Sequence, residues 1–103
     1  MKFQQINFEQ SSYKIPEFIA FSKEFKKQIK VELKAIGAEL ILFNTGHFYL
    51  SGFFRKSEHF FYFSWHNADN NLMYRTAKDT QDFTGGSNCW IALEDSFERM
   101  NLK

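Results

Sequence analysis

Cysteine, proline and glycine are scarce in this chain: one, one and five residues of 103. The single cysteine, Cys89, excludes an intrachain disulfide and points to a reducing compartment. So little proline and glycine, with no serine-rich stretch, leaves no Pro/Gly/Ser linker, and the chain shows no low-complexity run or internal repeat. Charge of one sign is also missing, with 13 Lys and Arg against 12 Asp and Glu. That balance argues against an acidic mimic of DNA and equally against a strongly basic, non-specific nucleic-acid binder. No stretch approaches the ~20 apolar residues of a membrane span. The N-terminus, Met1-Lys2-Phe3-Gln4-Gln5, has no apolar run resembling a signal peptide. These absences lead us to expect a cytoplasmic protein without a membrane partner.

Aromatic residues, by contrast, are abundant. Apolar residues make up 44% of the chain, and 14 residues are Phe. Each buried ring removes on the order of 150–250 Å² from water. A chain of this length forms a single domain, residues 1–103, burying roughly two-thirds of its unfolded surface. Charge is uneven along it. The stretch from Lys14 to Lys34 has six lysines and three glutamates, and that from Lys78 to Arg99 two basic and five acidic residues. The two regions could attract each other or present opposite poles to partners.

Pro16 suits the first turn of a helix, where a missing N–H costs nothing. After it, Phe18, Phe21, Phe25, Ile29, Leu33 and Ile36 fall within about 120° of arc at helical periodicity. Gly37 stands where a helix-terminating glycine belongs. The pattern predicts an amphipathic helix from Glu17 to Ile36. The period then changes. Glu39 to Phe43 reads as a short strand, Asn44-Thr45-Gly46 as a turn, and His47 to Phe54 and His59 to His66 as strands around the break Arg55–Glu58. Leu72 to Ala77 is a further short strand, and Cys89 to Leu93 is a candidate edge strand. Glu94 to Leu102 could form a helical turn or two, with Phe97 and Met100 pointing inward. The expected fold is α+β: an N-terminal strand or arm, an amphipathic helix on a three- or four-stranded antiparallel meander, and a short C-terminal helix.

Treating the break as a hairpin centred on Lys56-Ser57 sets Phe54 opposite His59 and His47 opposite His66. One face then carries Phe48, Leu50, Gly52 and Phe54 opposite Trp65, Phe63, Phe61 and His59, and should receive the helix. The other carries His47, Tyr49, Ser51 and Phe53 opposite His66, Ser64, Tyr62 and Phe60. Alternation fixes these faces, because a slip of one residue would exchange them.

Four features bear on chemistry. Lys23, Lys27, Lys30 and Lys34 form a row opposite the apolar arc; such a row could follow phosphates, or be a solvated face with Glu24 and Glu32 nearby. His47 and His66 could share a metal, but two ligands do not make a zinc site, and half-exposed strand histidines are the simpler account. Cys89 as a nucleophile would need a base that nothing in the sequence ties to it; a small buried side chain is favoured. The run Tyr74–Asn88 joins Arg75 and Lys78 to Asp79, Asp82 and Gly85-Gly86. Gly-rich turns can hold anions in a nest of N–H groups, though no Walker spacing is present. The alternative is an ordered Ω-like loop, braced from within by Arg75 and Asp82 and with Gly85 or Gly86 at positive φ.

The motifs Arg75-Thr76-Ala77-Lys78, Asp82-Phe83-Thr84-Gly85-Gly86 and Asn88, with the aromatic hairpin before them, resemble small uncharacterised proteins of bacterial phages and conjugative elements. The resemblance covers the second half of the chain. It implies an accessory role such as countering a host defence factor, and no transferable activity. The residues themselves favour a non-enzymatic protein-binding module without cofactors, its contacts made by Tyr49, Phe53, Phe60, Tyr62, His47 and His66, with a homodimer as one variant and coverage of the face by the chain's own ends as another. Arg75, Lys78, Asp82, Gly85, Gly86 and Asn88 form the possible anion or loop site. Single-stranded nucleic-acid binding, with rings as stacking platforms, is the alternative. A small enzyme ranks last, because no activated nucleophile, acid/base pair or metal set is visible.

Overall fold

A computed structural model describes Phe8 and residues 15–102; the expected N-terminal strand or arm, apart from Phe8, lies outside the described residues. Helix α1, Pro16–Ala35, starts with proline in its first turn and carries Glu17 at its N-terminal and Lys34 at its C-terminal end, both favourable to the helix dipole. It stops at Gly37, whose φ of 74° is the left-handed conformation a side chain resists. The Gly37 amide donates to the Lys34 carbonyl at 3.1 Å.

Five strands follow: β1 Ala38–Thr45, β2 Tyr49–Lys56, β3 His59–His66, β4 Asn71–Ala77 and β5 Cys89–Ala92. Each pairs antiparallel with the next, in the order β1-β2-β3-β4-β5. The meander thus exceeds the expected three or four strands, because both short outer segments pair. A short 3-10 turn, Phe97–Arg99, closes the described chain. No described helix is long and apolar enough to cross a membrane.

The central hairpin corrects the expected register. Ser57-Glu58 is a two-residue turn, so Lys56 pairs with His59 and Phe54 with Phe61. Ser57 takes φ 56°, the positive value such tight hairpin turns use. His66 therefore faces Tyr49, not His47. The expected pairing was wrong by two residues, and an even shift leaves every side chain on its assigned face. β2 also begins later than expected. Phe48 adopts φ 58° in the β1–β2 turn and sends its ring into the core, 5.0 Å from the Phe18 ring. His47 is left exposed on that turn, its ring edge-on to Phe48 at 5.1 Å.

The core lies between α1 and the face formed by the even-numbered residues of β2 and the odd-numbered residues of β3. Phe18, Phe25, Ile29, Leu33, Leu50, Phe54, Phe63 and Trp65 are all within 1% of complete burial. The Trp65 ring receives Phe21 at 5.0 Å and Phe25 at 5.7 Å, and its indole N–H donates to the Asp69 carbonyl at 2.9 Å. Three polar ties hold the outer segments to this core. Asn67 exchanges two hydrogen bonds with the Phe8 backbone, both 3.0 Å. The Glu32 carboxylate accepts from the Phe97 amide at 2.9 Å, and the Tyr74 hydroxyl accepts from the Asn101 amide at 2.7 Å. Phe97 and Met100 point inward as expected, at 2% and 9% exposure.

Candidate functional site

The face of the sheet away from α1 is built by alternation alone. Register places Leu42 beside Phe53, Phe53 beside Tyr62 and Tyr62 beside Arg75 in one row across the strands. The next row runs Asn44, Ser51, Ser64, Met73 and Trp90. Beyond it, Tyr49 and His66 stack with ring centroids 5.9 Å apart. Ser51 and Ser64 are buried despite facing outward, and form a narrow floor between larger neighbours.

The six residues expected to make contacts divide. Tyr49, at 38% exposure, and the exposed His66 stand at the surface together, and Phe60 and Tyr62 are half-buried. His47 is exposed but belongs to the turn, away from the His66 position it was expected to face. Phe53 is fully buried, so no partner can reach its ring. The cause is Phe83, which comes from the 78–88 loop and packs edge-on to Phe53 at 5.5 Å and to Tyr62 at 5.8 Å. The surface position passes to Phe83, 56% exposed, and at the far edge Trp90 is 62% exposed. Neither was among the expected contact residues. The parity of β5, with Trp90 opposite Met73, could have indicated the second, and a lone ring within a polar loop the first.

The loop is braced from within, as its composition suggested. Arg75 lies over the Tyr62 ring, 4.6 Å from its centroid. Its guanidinium donates through Nη2 to the Phe83 carbonyl and through Nη1 to Asn88 Oδ1 at 3.3 Å. The Asp82 carboxylate accepts from the backbone N–H of Lys78 at 3.0 Å, Thr84 at 3.1 Å and Gly85 at 2.9 Å. These bonds, that from Lys78 foremost, hold its pKa below the ordinary aspartate value. The Thr84 and Gly85 amides that could have met an external anion are thus turned onto an internal one. Gly86, not Gly85, takes positive φ, at 77°. A Cβ there would also stand 2.6 Å from the Thr76 carbonyl oxygen.

Beside the loop, a cleft of about 320 Å³ is lined by Phe61, Tyr74, Thr76, Ser87, Cys89 and Asn101 among others. The Cys89 thiol is directed at the Ser87 carbonyl, 3.7 Å away. The lining includes no histidine or carboxylate to act as its base. Among the described residues, no group of three or more His, Cys, Asp or Glu is placed to hold a metal.

Lys23, Lys27, Lys30 and Lys34 are all exposed on the outer side of α1. Helix and sheet both lie between this row and the ring-bearing face. On that face Arg55 is paired with Glu39 at 3.2 Å, and Arg75 is engaged by the loop.

No protein-family model, curated protein or solved structure matches the chain.

Proposed function

We propose that the chain is a non-enzymatic protein-binding module whose contact surface is the sheet face away from the helix. One observation carries this reading: Leu42, Tyr49, Phe83 and Trp90 are each at least 38% exposed on one face, above a fully buried Phe53 and a half-buried Tyr62. Aromatic side chains set on a rigid sheet lose little entropy on contact and are the commonest anchors of protein interfaces. The complementary partner surface is an apolar patch. A host defence factor is the class of partner that the resemblance around the 75–88 loop implies.

Single-stranded nucleic acid is the weaker reading. It needs stacking rings and free cations on one surface, whereas the lysine row lies on the opposite side of the domain and Arg55 and Arg75 are engaged. The test is capture from native bacterial lysate by wild type and two variants. Tyr49→Ala should lose the captured protein, because an anchoring ring contributes about 2 kcal/mol, roughly thirtyfold in affinity. Replacing Lys23, Lys27, Lys30 and Lys34 together by serine should leave capture intact. Tight, salt-sensitive binding of a mixed-sequence oligonucleotide that the lysine variant abolishes would overturn the proposal in favour of nucleic acid.

A further inference from the structure

The two outer strands of the sheet are not equally protected. β1 has a register shift between Leu40 and Leu42 and an ion pair from Glu39 to Arg55. A bulge and a charge are two of the devices that discourage a further strand from pairing there. β5, Cys89-Trp90-Ile91-Ala92, has no charge, proline or glycine, and only its shortness limits it. The Leu93 amide donates to the Asn70 carbonyl at 2.9 Å. Since antiparallel bonding alternates, Ile91 and Cys89 also direct their backbone groups to β4. The N–H and C=O of Trp90 and the N–H of Ala92 consequently point outward, and no described strand pairs with that edge. The Ala92 carbonyl already accepts from the Asp95 amide at 3.0 Å but keeps a second lone pair.

We propose that this edge pairs with β5 of a second copy of the chain, antiparallel about a dyad at Ile91, so that the two sheets become one. What must meet unpaired strand groups is an extended backbone, and β5 is complementary to itself. In this register Trp90 lies opposite Ala92 of the second copy, a large ring over a small side chain, and Ile91 lies opposite Ile91. β5 carries no charged residue, so no like charges oppose each other along the paired segment. The outward N–H of Trp90 reaches the carbonyl of Ala92 in the second copy, and the N–H of Ala92 reaches the carbonyl of Trp90. The contact also joins the two ring-bearing faces side by side, with a Trp90 from each copy near the seam. A four-residue strand covers far less than the roughly 1,600 Å² of a standard interface, which makes this a weak, concentration-dependent dimer.

Sedimentation velocity from about 10 μM to about 1 mM, a range suited to weak association, tests it. Wild type should move from the 12.3 kDa monomer towards twice that mass as concentration rises. Ala92→Pro removes an outward N–H and no intrachain bond, as edge-strand proline can, and should hold the protein at monomer mass. Trp90→Lys, which places a charge on the edge, should do the same and stands in if the proline variant fails to fold. Tyr49→Ala should still dimerise, which separates this contact from the partner-binding reading. Amide exchange at Trp90 and Ala92 should slow in the concentrated wild type. A wild type that stays monomeric at the highest concentration, or a dimer that survives both edge variants, would overturn the proposal.

Discussion

On the helix side of β2 and β3, Phe54, Phe61, Phe63 and Trp65 are at most 2% exposed, while on the other side of the same strands Tyr49 reaches 38% and Phe53, two rows away, is fully buried. The first face is uniform because α1, with Phe8, Phe97 and Met100 at its margins, covers it. The second is uneven because only one loop, through Phe83, covers part of it. Burial on the second face thus depends on what the 78–88 segment does, although nothing in the local pattern of β2 or β3 changes between Tyr49 and Phe53. The energetic consequences should follow cover rather than residue type.

The largest expected effect is at the uniform face. Phe25 is fully buried and packs on Trp65 at 5.7 Å. Phe25→Ala should therefore cost about 3–5 kcal/mol, the range for ring deletion in a core. Denaturant unfolding measures it, and a loss under about 1 kcal/mol would mean that the helix does not hold the core in the way described. The sharper test lies on the uneven face. Phe53→Ala should cost nearly as much, about 3 kcal/mol, whereas Tyr49→Ala should cost no more than about 1 kcal/mol, as surface substitutions do. Equal effects at the two positions would remove the distinction between covered and open parts of the face.

The smallest expected effect concerns the loop that provides the cover. The Asp82 carboxyl is held below its ordinary pKa by the Lys78, Thr84 and Gly85 amides. The folded state thus favours the charged form, and the stabilisation is present above the unfolded-state aspartate pKa, near ~3.9. It is lost as pH falls through the lower folded-state value, where protonation weakens the three bonds. Phe83 should then separate from Phe53 and Tyr62 at acid pH before the core opens. Ring resonances of Phe83 followed against pH, in wild type and Asp82→Asn, would show it. A Phe83 environment that does not change until global unfolding would contradict the link between the carboxylate and the cover.

Most of the architecture was legible because its signals are local. The arc from Phe18 to Leu33 is a helical period, Gly37 is a stop with a steric reason, and strand alternation assigns faces without knowledge of the partner. The hairpin register was misjudged by two residues and the faces survived, since side-chain direction repeats every second residue. Phe48 escaped because a positive φ on a bulky residue is a local exception that only the surrounding core can stabilise. The loop was half legible. Asp82 and Arg75 were recognisable braces, since short-range side-chain-to-backbone bonds are encoded by spacing. The contact of Phe83 with Phe53, thirty residues apart, left no spacing to read.

What the sequence determined by itself was therefore the helix, the strands, the two faces and the internal bracing of one loop, each set by torsional preference and periodicity over a few residues. Tertiary structure alone decided that Phe53 lies beneath Phe83, that Trp90 stands open at an edge, and that the lysine row and the exposed rings occupy opposite sides of the domain. Those outcomes depend on which surfaces meet, and exclusion of water between distant segments is a property of the packed chain rather than of any stretch within it.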